Sequence, residues 1–504
     1  MDNDLTVRTE TGDVRGVRRN GCRQFLGVPY ASPPVGDLRW SAPRPPVPWD
    51  GVRDAREPGS IPPQNPSAVT GAHSLDEDCL FLNVTAPDEP VGLRPVMVWI
   101  HGDGASGGGS FFDPCRLASL GGVVVVTINY RLGILGGLGV PGLPDSGTFG
   151  LLDQQAALGW VRRNILAFGG DPTNVTVFGE SYGGLAVSAH LTSPGAAGLF
   201  DRAIVQSGFA LADLPPGTFF PNIPAVPSMG FRPLDEVTDL GATVVDELGL
   251  AGQHPADTID ALRRVPVESL LPYTSWFLNL GYGGSALPED PAAALRAGRF
   301  HRLPVLSGNT ADEARLMVGV FREQADEPVT SGNYLTLLVA AFGDDAGAIA
   351  ERYPASAYDS PALAWAAVCT DRVWAFRTQE QNQLLAAHVP TYAYEFADRN
   401  APAYVALPPG FPAGAYHSAE LPYLFTIAGQ DAEFDAAQHE LSDLIIRYWT
   451  AFARSGDPNQ ASLPAWPSYS AGEHVQSLAP GSGGVRPADY ARDHQLDLWE
   501  RLTV

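Results

Sequence analysis

Two serines in the chain stand in the G-x-S-x-G pattern that can place a nucleophilic hydroxyl at a sharp turn. Ser181 lies in Gly179–Gly183 (GESYG), and Ser106 lies in Gly104–Gly108 (GASGG). Glycine is abundant in this chain, with 54 in 504 residues, so chance matches are common. The pattern therefore names two candidate nucleophiles and does not choose between them.

The flanking residues favour Ser181, because the nucleophile turn needs a strand before it and a helix after it. Ser181 follows the strand-like run VTVF and precedes GGLAVSAHL, which is typical of a helix. Ser106 also follows an apparent strand, but it leads into GGGSFFDP, which contains no helix pattern. Ser181 is the predicted nucleophile; the competing interpretation is an ordinary turn serine.

A serine hydroxyl needs a base at neutral pH, usually an imidazole that a carboxylate holds in place. Hydrolases with this turn carry the acid and then the histidine later in the chain. Seven histidines lie well after Ser181: His254, His301, His388, His417, His439, His474 and His494. We expect solvated positions for His439, in a charged helical segment, and for His474 and His494, in a polar tail. His417, in the turn-like segment GAYHSAEL, is favoured, although the residues alone leave other histidines open.

Two adjacent carboxylates are candidates for the acid. Glu313 follows a strand-like run at Leu303–Leu306 (LPVL) and a predicted turn, SGNTAD, whose last residue is Asp312. A loop after a strand suits a carboxylate that orients a base. The two residues are equal candidates on physical grounds, and either could be a solvated loop charge.

The surrounding elements alternate between strand and helix. Val96–Ile100 and Val123–Ile128 are continuous apolar runs, as expected for strands buried on both faces of a parallel sheet. Asn174–Phe178 and Arg202–Gln206 are also strand-like, and apolar residues between Thr148 and Gly170 have helical spacing. The sequence predicts an α/β fold with a central, mostly parallel, twisted sheet flanked by helices.

The chain is predicted to form one domain, residues 1–504, with a lid-like insertion over residues 209–300. Phe209–Met229 is rich in proline and aromatic residues, too apolar for a linker and too broken for a helix. It is either a surface loop packed on the core or a wall over the site.

The charge and the cysteine content limit which partners and which cellular compartment are expected for this protein. Lys plus Arg number 32 against 56 Asp plus Glu, a net charge of −24, so neither nucleic acid nor an anionic membrane is an expected partner. Met1–Gly12 lacks a secretory pattern and no run suits a spanning helix, so we expect a cytoplasmic protein unless a leader was removed. We expect no cofactor and no metal. The four scattered cysteines are predicted to be buried free thiols: Cys22, Cys79, Cys115 and Cys369.

Several segments resemble the type B carboxylesterases, a family that includes cholinesterases and bacterial para-nitrobenzyl esterases. Phe168–Gly184 (FGGDPTNVTVFGESYGG) is similar to that family's nucleophile signature, and Glu77–Val84 (EDCLFLNV) to a second one. The resemblance spans about Val14 to Leu502 and includes FLGVPYASPPVGDLRW, NYRLG, FGLLDQ, FDRAIVQSG and YWTAFARSGDPN. It implies the α/β-hydrolase fold and serine esterase chemistry.

By position, the resemblance implies a catalytic triad of Ser181, Glu313 and His417. SGNTADEARL aligns with the family's acid segment and selects Glu313 over Asp312, while GAYHSAELPYLF aligns with its histidine segment.

The resemblance also implies that the backbone N–H groups of Asp103, Gly104 and Tyr182 form an oxyanion hole. Here the chain departs from the family, because it has HGDGA where the family usually has His-Gly-Gly-Gly-Phe. The Asp103 carboxylate would oppose a developing oxyanion unless it points away or is paired. Ala105 replaces an aromatic residue and Tyr182 a small one, so we expect a reshaped acyl pocket.

The cysteine pattern departs as well. The family cysteine that matches Cys79 normally bridges to a partner a few tens of residues earlier, but no cysteine lies between Arg23 and Asp78. This supports a reduced, intracellular protein, while a bridge from Cys79 to Cys22 or Cys115 stays open.

The predicted function is hydrolysis of small-molecule carboxylic esters through an acyl-enzyme on Ser181, by a monomer or homodimer. An acyltransferase or cyclase could use the same acyl-enzyme with another nucleophile. A non-catalytic binding protein of the same family is disfavoured, because all three triad positions are filled.

Overall fold

A mixed sheet forms the centre of the computed structural model, which describes residues 5–67, 70–89, 92–325 and 327–503. Within these residues the sheet has eleven strands. In spatial order they are Arg486–Pro487, Val475–Leu478, Thr391–Phe396, Val305–Thr310, Arg202–Gln206, Gly170–Glu180, Arg94–Ile100, Val124–Ile128, Phe81–Pro87, Cys22–Pro29 and Val17–Arg19. Pairing is parallel from Val475–Leu478 to Val124–Ile128 and antiparallel at both edges.

Helices cover both faces of this sheet. The α-helices are Cys115–Gly121, Gly133–Gly137, Phe149–Asn164, Tyr182–Thr192, Leu234–Glu247, Pro255–Arg263, Val267–Leu270, Pro291–Arg296, Ala314–Val318, Tyr334–Phe342, Ala346–Arg352, Pro361–Cys369, Phe376–Ala386, Ala436–Ser455, Tyr490–Asp493 and Leu496–Thr503. Two π-helical turns, Gly319–Glu323 and Thr370–Ala375, extend helices in the C-terminal half. In the part of the chain described, no helix has both the length and the apolar character needed to span a bilayer.

Short strands pair outside the main sheet. Thr6–Arg8, Asp13–Arg15 and Val52–Asp54 form a three-stranded sheet near the N-terminus. Phe231–Pro233 pairs with Leu280–Tyr282, and Phe112–Asp113 pairs with Thr426–Ile427.

The predicted α/β fold is confirmed. All residues of Val124–Ile128 and all but the first of Arg94–Ile100 are buried, because helices pack on both faces of the sheet. The predicted helix between Thr148 and Gly170 is shorter than expected. Phe149–Asn164 is α-helical, Ile165–Phe168 forms a 3₁₀ turn, and Gly170 already begins the next strand.

The turn predicted at SGNTAD is wrong over its first four residues. Ser307–Thr310 continue the strand Val305–Thr310 and pair with Thr391–Phe396. Gly308 is needed for close approach, since a Cβ there would lie 2.2 Å from the carbonyl oxygen of Tyr394. A glycine that suggested a turn therefore marks tight contact inside the sheet.

Residues 209–300 contain the helices Leu234–Glu247, Pro255–Arg263, Val267–Leu270 and Pro291–Arg296. The proline-rich part before them has an irregular backbone, with one isolated bridge between Leu214 and Val226. Phe219 in this part is buried, and its ring centroid lies 5.3 Å from that of Trp374.

The expectation of four free thiols is wrong for two of them. Cys22, at the start of an edge-side strand, forms a disulfide with Cys115, the first residue of the helix Cys115–Gly121. Cys79 and Cys369 are free and buried. Local residue patterns do not predict this pairing, because 93 positions separate the two cysteines and the fold alone makes them neighbours.

The disulfide predicts both a thiol count and a loss of stability. Denatured protein should react with two equivalents of a thiol reagent before reduction and with four after it. Cys115→Ser should lower the free energy of unfolding by about 2–4 kcal/mol, because the unfolded chain loses a cross-link. Cys22→Ser is the matched control and should cost about the same, with no further loss in the double variant. Four reactive thiols without reductant would contradict the pairing.

Candidate active site

Ser181 occupies a sharp turn between the strand Gly170–Glu180 and the helix Tyr182–Thr192. Its backbone is at φ 58° and ψ −120°, a strained conformation for a residue with a side chain. Two glycines permit the turn. A Cβ on Gly183 would lie 2.0 Å from the Ile100 carbonyl oxygen, and one on Gly179 would lie 2.6 Å from the backbone of Gly183.

The structure brings Ser181, His417 and Glu313 into one hydrogen-bonded chain. Nε2 of His417 lies 2.8 Å from Oγ of Ser181, and Nδ1 lies 2.5 Å from Oε2 of Glu313. Glu313 is fully buried and His417 is 4 % exposed. The other oxygen of Glu313 accepts the N–H of Thr310 at 2.9 Å, so the carboxylate is held on both sides.

These contacts fix the tautomer of His417. A carboxylate can only accept a hydrogen bond, so Nδ1 carries the proton that it donates to Glu313. Nε2 then presents its lone pair to the hydroxyl of Ser181. The arrangement can move a proton from a serine hydroxyl to an imidazole, which is the first requirement for nucleophilic catalysis.

Three loops at the carboxyl edge of the sheet supply the three side chains. Ser181 follows the strand Gly170–Glu180, and Glu313 follows the strand Val305–Thr310. His417 lies in a turn, and its backbone N–H donates to the carbonyl of Glu313 at 3.3 Å. The indole of Trp374 packs beside His417, with ring centroids 5.3 Å apart.

Two further buried carboxyl groups surround the imidazole. Oε1 of Glu180 lies 3.2 Å from Nε2 of His417, and Glu420 accepts a hydrogen bond from Gln206 at 3.1 Å. Burial raises the pKa of Glu180 to about 8, against the lowering effect of His417. Burial also raises the pKa of Glu420 to about 7, and the Glu313 carboxylate adds to that rise.

The pKa of His417 is also raised, although burial acts on an imidazole in the opposite sense to a carboxyl group. Burial by itself lowers the pKa of His417, but the carboxylates of Glu180 and Glu313 outweigh burial and raise it to about 9. Glu180 and His417 are therefore coupled: the ionised Glu180 carboxylate makes His417 hold its proton more tightly, whereas the imidazolium of His417 makes Glu180 release its proton more easily. Sequence reasoning named neither Glu180 nor Glu420, although Glu180 stands inside the nucleophile motif.

The loop after the strand Arg94–Ile100 lies against the nucleophile turn. A Cβ on Gly102 would be 3.1 Å from the Cβ of Ser181. In the described part of the chain, the N–H groups of Asp103 and Tyr182 donate to no other group, whereas the N–H of Gly104 donates to the carbonyl of Gly102 at 3.1 Å. Two of the three predicted donors are thus free to meet a ligand.

The Asp103 carboxylate is turned onto its own loop. It accepts hydrogen bonds from the Ser106 hydroxyl and, at 3.4 Å, from the Ala105 N–H. Desolvation raises the pKa of Asp103, and the bond from Ser106 opposes that rise. Ser106, the other G-x-S-x-G serine, is followed by irregular backbone and the short 3₁₀ turn Gly109–Phe111.

The ring of Tyr182 packs against the same loop. A Cβ on Gly104, at φ 79°, would lie 2.8 Å from Cδ2 of Tyr182. Burial raises the pKa of the Tyr182 hydroxyl well above its usual value. Tyr182 therefore forms a partly buried wall between the nucleophile turn and the loop.

The solvated position predicted for His494 is wrong. His439 is exposed as expected and His474 is half-buried, but His494 is buried between Asp371 and Glu395, with a 2.5 Å contact to each. These three residues border a cavity of about 570 Å³ that Ser181 does not line. The polar tail of the sequence concealed the burial, because the acidic partners come from distant elements.

Comparisons with known proteins agree over nearly the whole chain. A sequence model described as the carboxylesterase family matches residues 3–499. The para-nitrobenzyl esterase of Bacillus subtilis (strain 168) is 34% identical over 479 residues, covering 92% of each protein. The pyrethroid hydrolase Ces2e of Rattus norvegicus is 32% identical over 507 residues, covering 93% of this chain and 85% of the relative.

Solved structures are similar at full length. A thermophilic PNB esterase has a TM-score of 0.79 and 31% identity, covering 98% of this chain and 100% of its own. A second PNB esterase has a TM-score of 0.77 and 32% identity, with the same coverage of both chains.

The carboxyl cluster predicts the direction in which the pKa of His417 moves. Glu180→Gln removes a negative neighbour, so the imidazolium becomes less stable and the pKa of His417 should fall. The titration can be followed by NMR of ¹⁵N-labelled histidine, with the signal assigned by its loss in His417→Gln. Glu289→Gln, at an exposed pair with Arg299, is the control and should change nothing. An unchanged or higher pKa in Glu180→Gln would contradict the coupling.

Proposed function

The chain belongs to the carboxylesterase family and is a carboxylic ester hydrolase, and from that premise we propose that Ser181, His417 and Glu313 carry out its reaction. The observation that carries the proposal is the hydrogen-bonded chain from Ser181 through His417 to the buried Glu313, with contacts of 2.8 and 2.5 Å. In the described part of the chain, the Ser106 hydroxyl donates to the Asp103 carboxylate and to no imidazole, and the first helical element after it is the short 3₁₀ turn Gly109–Phe111.

In the first half of the reaction, the Ser181 oxygen attacks the ester carbonyl while Nε2 of His417 takes its proton. A tetrahedral oxyanion forms and collapses to an acyl-serine. His417 returns the proton to the departing alcohol. In the second half, water attacks the acyl-serine, His417 takes a proton from the water, and Ser181 recovers it as the acid leaves. Glu313 holds the imidazole and stabilises its cation throughout.

The proposed oxyanion donors are the N–H groups of Asp103, Gly104 and Tyr182. Those of Asp103 and Tyr182 have no acceptor among the residues that the structure describes, and the N–H of Gly104 has to leave the Gly102 carbonyl before it can join them. The Asp103 carboxylate is held on its own loop, because it accepts hydrogen bonds from the Ser106 hydroxyl and the Ala105 N–H. Its negative charge is therefore partly compensated and does not have to face the oxyanion.

We also propose that residues 209–300 act as a lid-like insertion within a single domain. The supporting observation is a line of aromatic contacts from Phe219 through Trp374 to His417, with centroid separations of 5.3 Å at each step. Phe219, in the proline-rich segment, is therefore separated from the proposed base only by the indole of Trp374.

Cytoplasmic location and a monomeric or homodimeric state stay predictions. Residues 1–4, on which the expectation of no leader partly rests, lie outside the described residues. The disulfide between Cys22 and Cys115 weighs against a reducing compartment, where thiols are normally kept reduced.

The nucleophile can be tested by covalent labelling. A fluorophosphonate should add once to the intact protein, on the peptide that contains Ser181. Ser181→Ala should abolish labelling and reduce kcat for p-nitrophenyl acetate by about 10⁴-fold or more. Ser106→Ala is the control, because it removes the other G-x-S-x-G serine, and its label should remain on Ser181. Ordinary ester turnover by Ser181→Ala would disprove the assignment.

The position of the Tyr182 ring predicts an effect on the acyl group. We propose that this ring restricts the acyl pocket, so the preferred acyl group differs from that of common family members. Tyr182→Ala should raise kcat/KM for bulky acyl groups relative to acetyl, in a series of p-nitrophenyl acetate, butyrate, octanoate and benzoate. Tyr182→Phe keeps the ring and should keep the wild-type order. A ratio of kcat/KM for bulky acyl groups to that for acetyl that is unchanged in Tyr182→Ala would defeat the proposal.

A further inference from the structure

Asp312, the residue directly before Glu313, has a carboxylate with three donors. Its Oδ2 accepts the Ala415 N–H at 3.0 Å and Nε of Arg399 at 3.0 Å. Its Oδ1 lies 3.0 Å from the guanidinium of Arg315. Asp312 is 9 % exposed, so this is a nearly buried carboxylate with its charge well compensated.

The backbone around Asp312 joins two loops that carry triad residues. The Asp312 N–H donates to the Ala415 carbonyl at 2.9 Å, and the Ala415 N–H returns a bond to the Asp312 side chain. The next bond along is from the His417 N–H to the Glu313 carbonyl at 3.3 Å. Asp312 thus supplies two of these three bonds between loops that are 104 residues apart at Glu313 and His417.

The approach of the histidine loop to Asp312 is close. Gly414 is at φ 62°, and a Cβ there would lie 2.7 Å from Oδ2 of Asp312 and 2.6 Å from the guanidinium of Arg315. Because Gly414 has no side chain, its backbone can lie against the Asp312 carboxylate, immediately before the segment that carries His417.

We propose that Asp312 is a positioning residue, which holds the loop of Glu313 and the loop of His417 in register so that the two side chains meet. The inference rests on the proposed roles of Ser181, Glu313 and His417. Small misplacements of a catalytic group are costly, since a shift of about 1 Å can lower a rate about 100-fold. Asp312 affects the reaction only by setting the positions of Glu313 and His417.

Asp201 provides a structural control at the amino ends of the parallel strands, on the side of the sheet opposite to Ser181. The Asp201 N–H donates to the Val175 carbonyl at 2.7 Å, and the Val175 N–H returns a bond to the Asp201 side chain at 2.8 Å. Arg162 pairs with Asp201 at 2.9 Å. The backbone exchange is the same as at Asp312, with one arginine partner instead of two and a more exposed carboxylate. Ser181 lies six residues beyond Val175 along one strand, a span of about 20 Å.

The experiment compares Asp312→Ala and Asp312→Asn with Asp201→Ala and Asp201→Asn, using p-nitrophenyl acetate, thermal unfolding and the pH profile of kcat/KM. We expect Asp312→Ala to lower kcat about 100-fold with KM changed less than threefold. Asp312→Asn keeps an acceptor for the Ala415 N–H and should recover part of that loss. The Asp201 variants should lower Tm to a similar degree and leave kcat within twofold.

The pH profile separates positioning from general stability. The charges that act on the pKa of His417 are Glu180, Glu313 and Glu420, and Glu313 raises it. If Asp312→Ala loosens the contact with Glu313, the acidic limb of kcat/KM should move to lower pH. The Asp201 variants should not move it.

The outcomes are distinguishable from a failure of the triad itself. Glu313→Ala in the same series must lose activity, and full activity there would refute the proposed triad. If Glu313→Ala is inactive while both Asp312 variants keep wild-type kcat and pH profile, only the positioning role is overturned. If Asp312→Ala does not fold, Asp312→Asn decides: a lower kcat with unchanged KM supports the role, and wild-type kcat overturns it.

Discussion

The hydrogen bond between Nδ1 of His417 and Glu313 is the interaction on which the site depends. It places the imidazole proton on the side away from Ser181, so the lone pair of Nε2 faces the hydroxyl. The carboxylate is completely buried, which strengthens its interaction with the ring and protects it from competition by water. Without this contact, Ser181 would be an alcohol beside an unoriented ring.

Burial that strengthens this contact also makes the surrounding charges costly. Glu180, Glu313 and Glu420 are all nearly inaccessible around one imidazole, and full ionisation of all three would leave excess negative charge away from water. The raised pKa values of Glu180 and Glu420 relieve that excess by keeping protons within the cluster. The site is therefore a group of coupled acids around a base, rather than three isolated side chains.

The parallel strands of the sheet bring residues that are distant in the sequence close together. The parallel strands all have their carboxyl ends on the same side of the sheet, so the loops after Gly170–Glu180 and Val305–Thr310 lie on that side, with only the strand Arg202–Gln206 between them. A carboxylate that exchanges backbone bonds with a neighbouring segment occurs at both edges, at Asp312 and at Asp201. The same local arrangement joins strands at the amino ends of the sheet and joins the proposed catalytic loops at its carboxyl ends, where Ser181, Glu313 and His417 lie.

The sequence by itself determined the strand–turn–helix around Ser181, the buried strands and the alternation of strand and helix, because these depend on residues adjacent in the chain. It also pointed to His417 and Glu313, through resemblance over long segments. Only the tertiary structure decided that SGNT is strand, that His494 is buried between two acids, and that Cys22 meets Cys115. Each of these depends on a partner far away in sequence, and local residue patterns carry no information about which distant segment will become the neighbour.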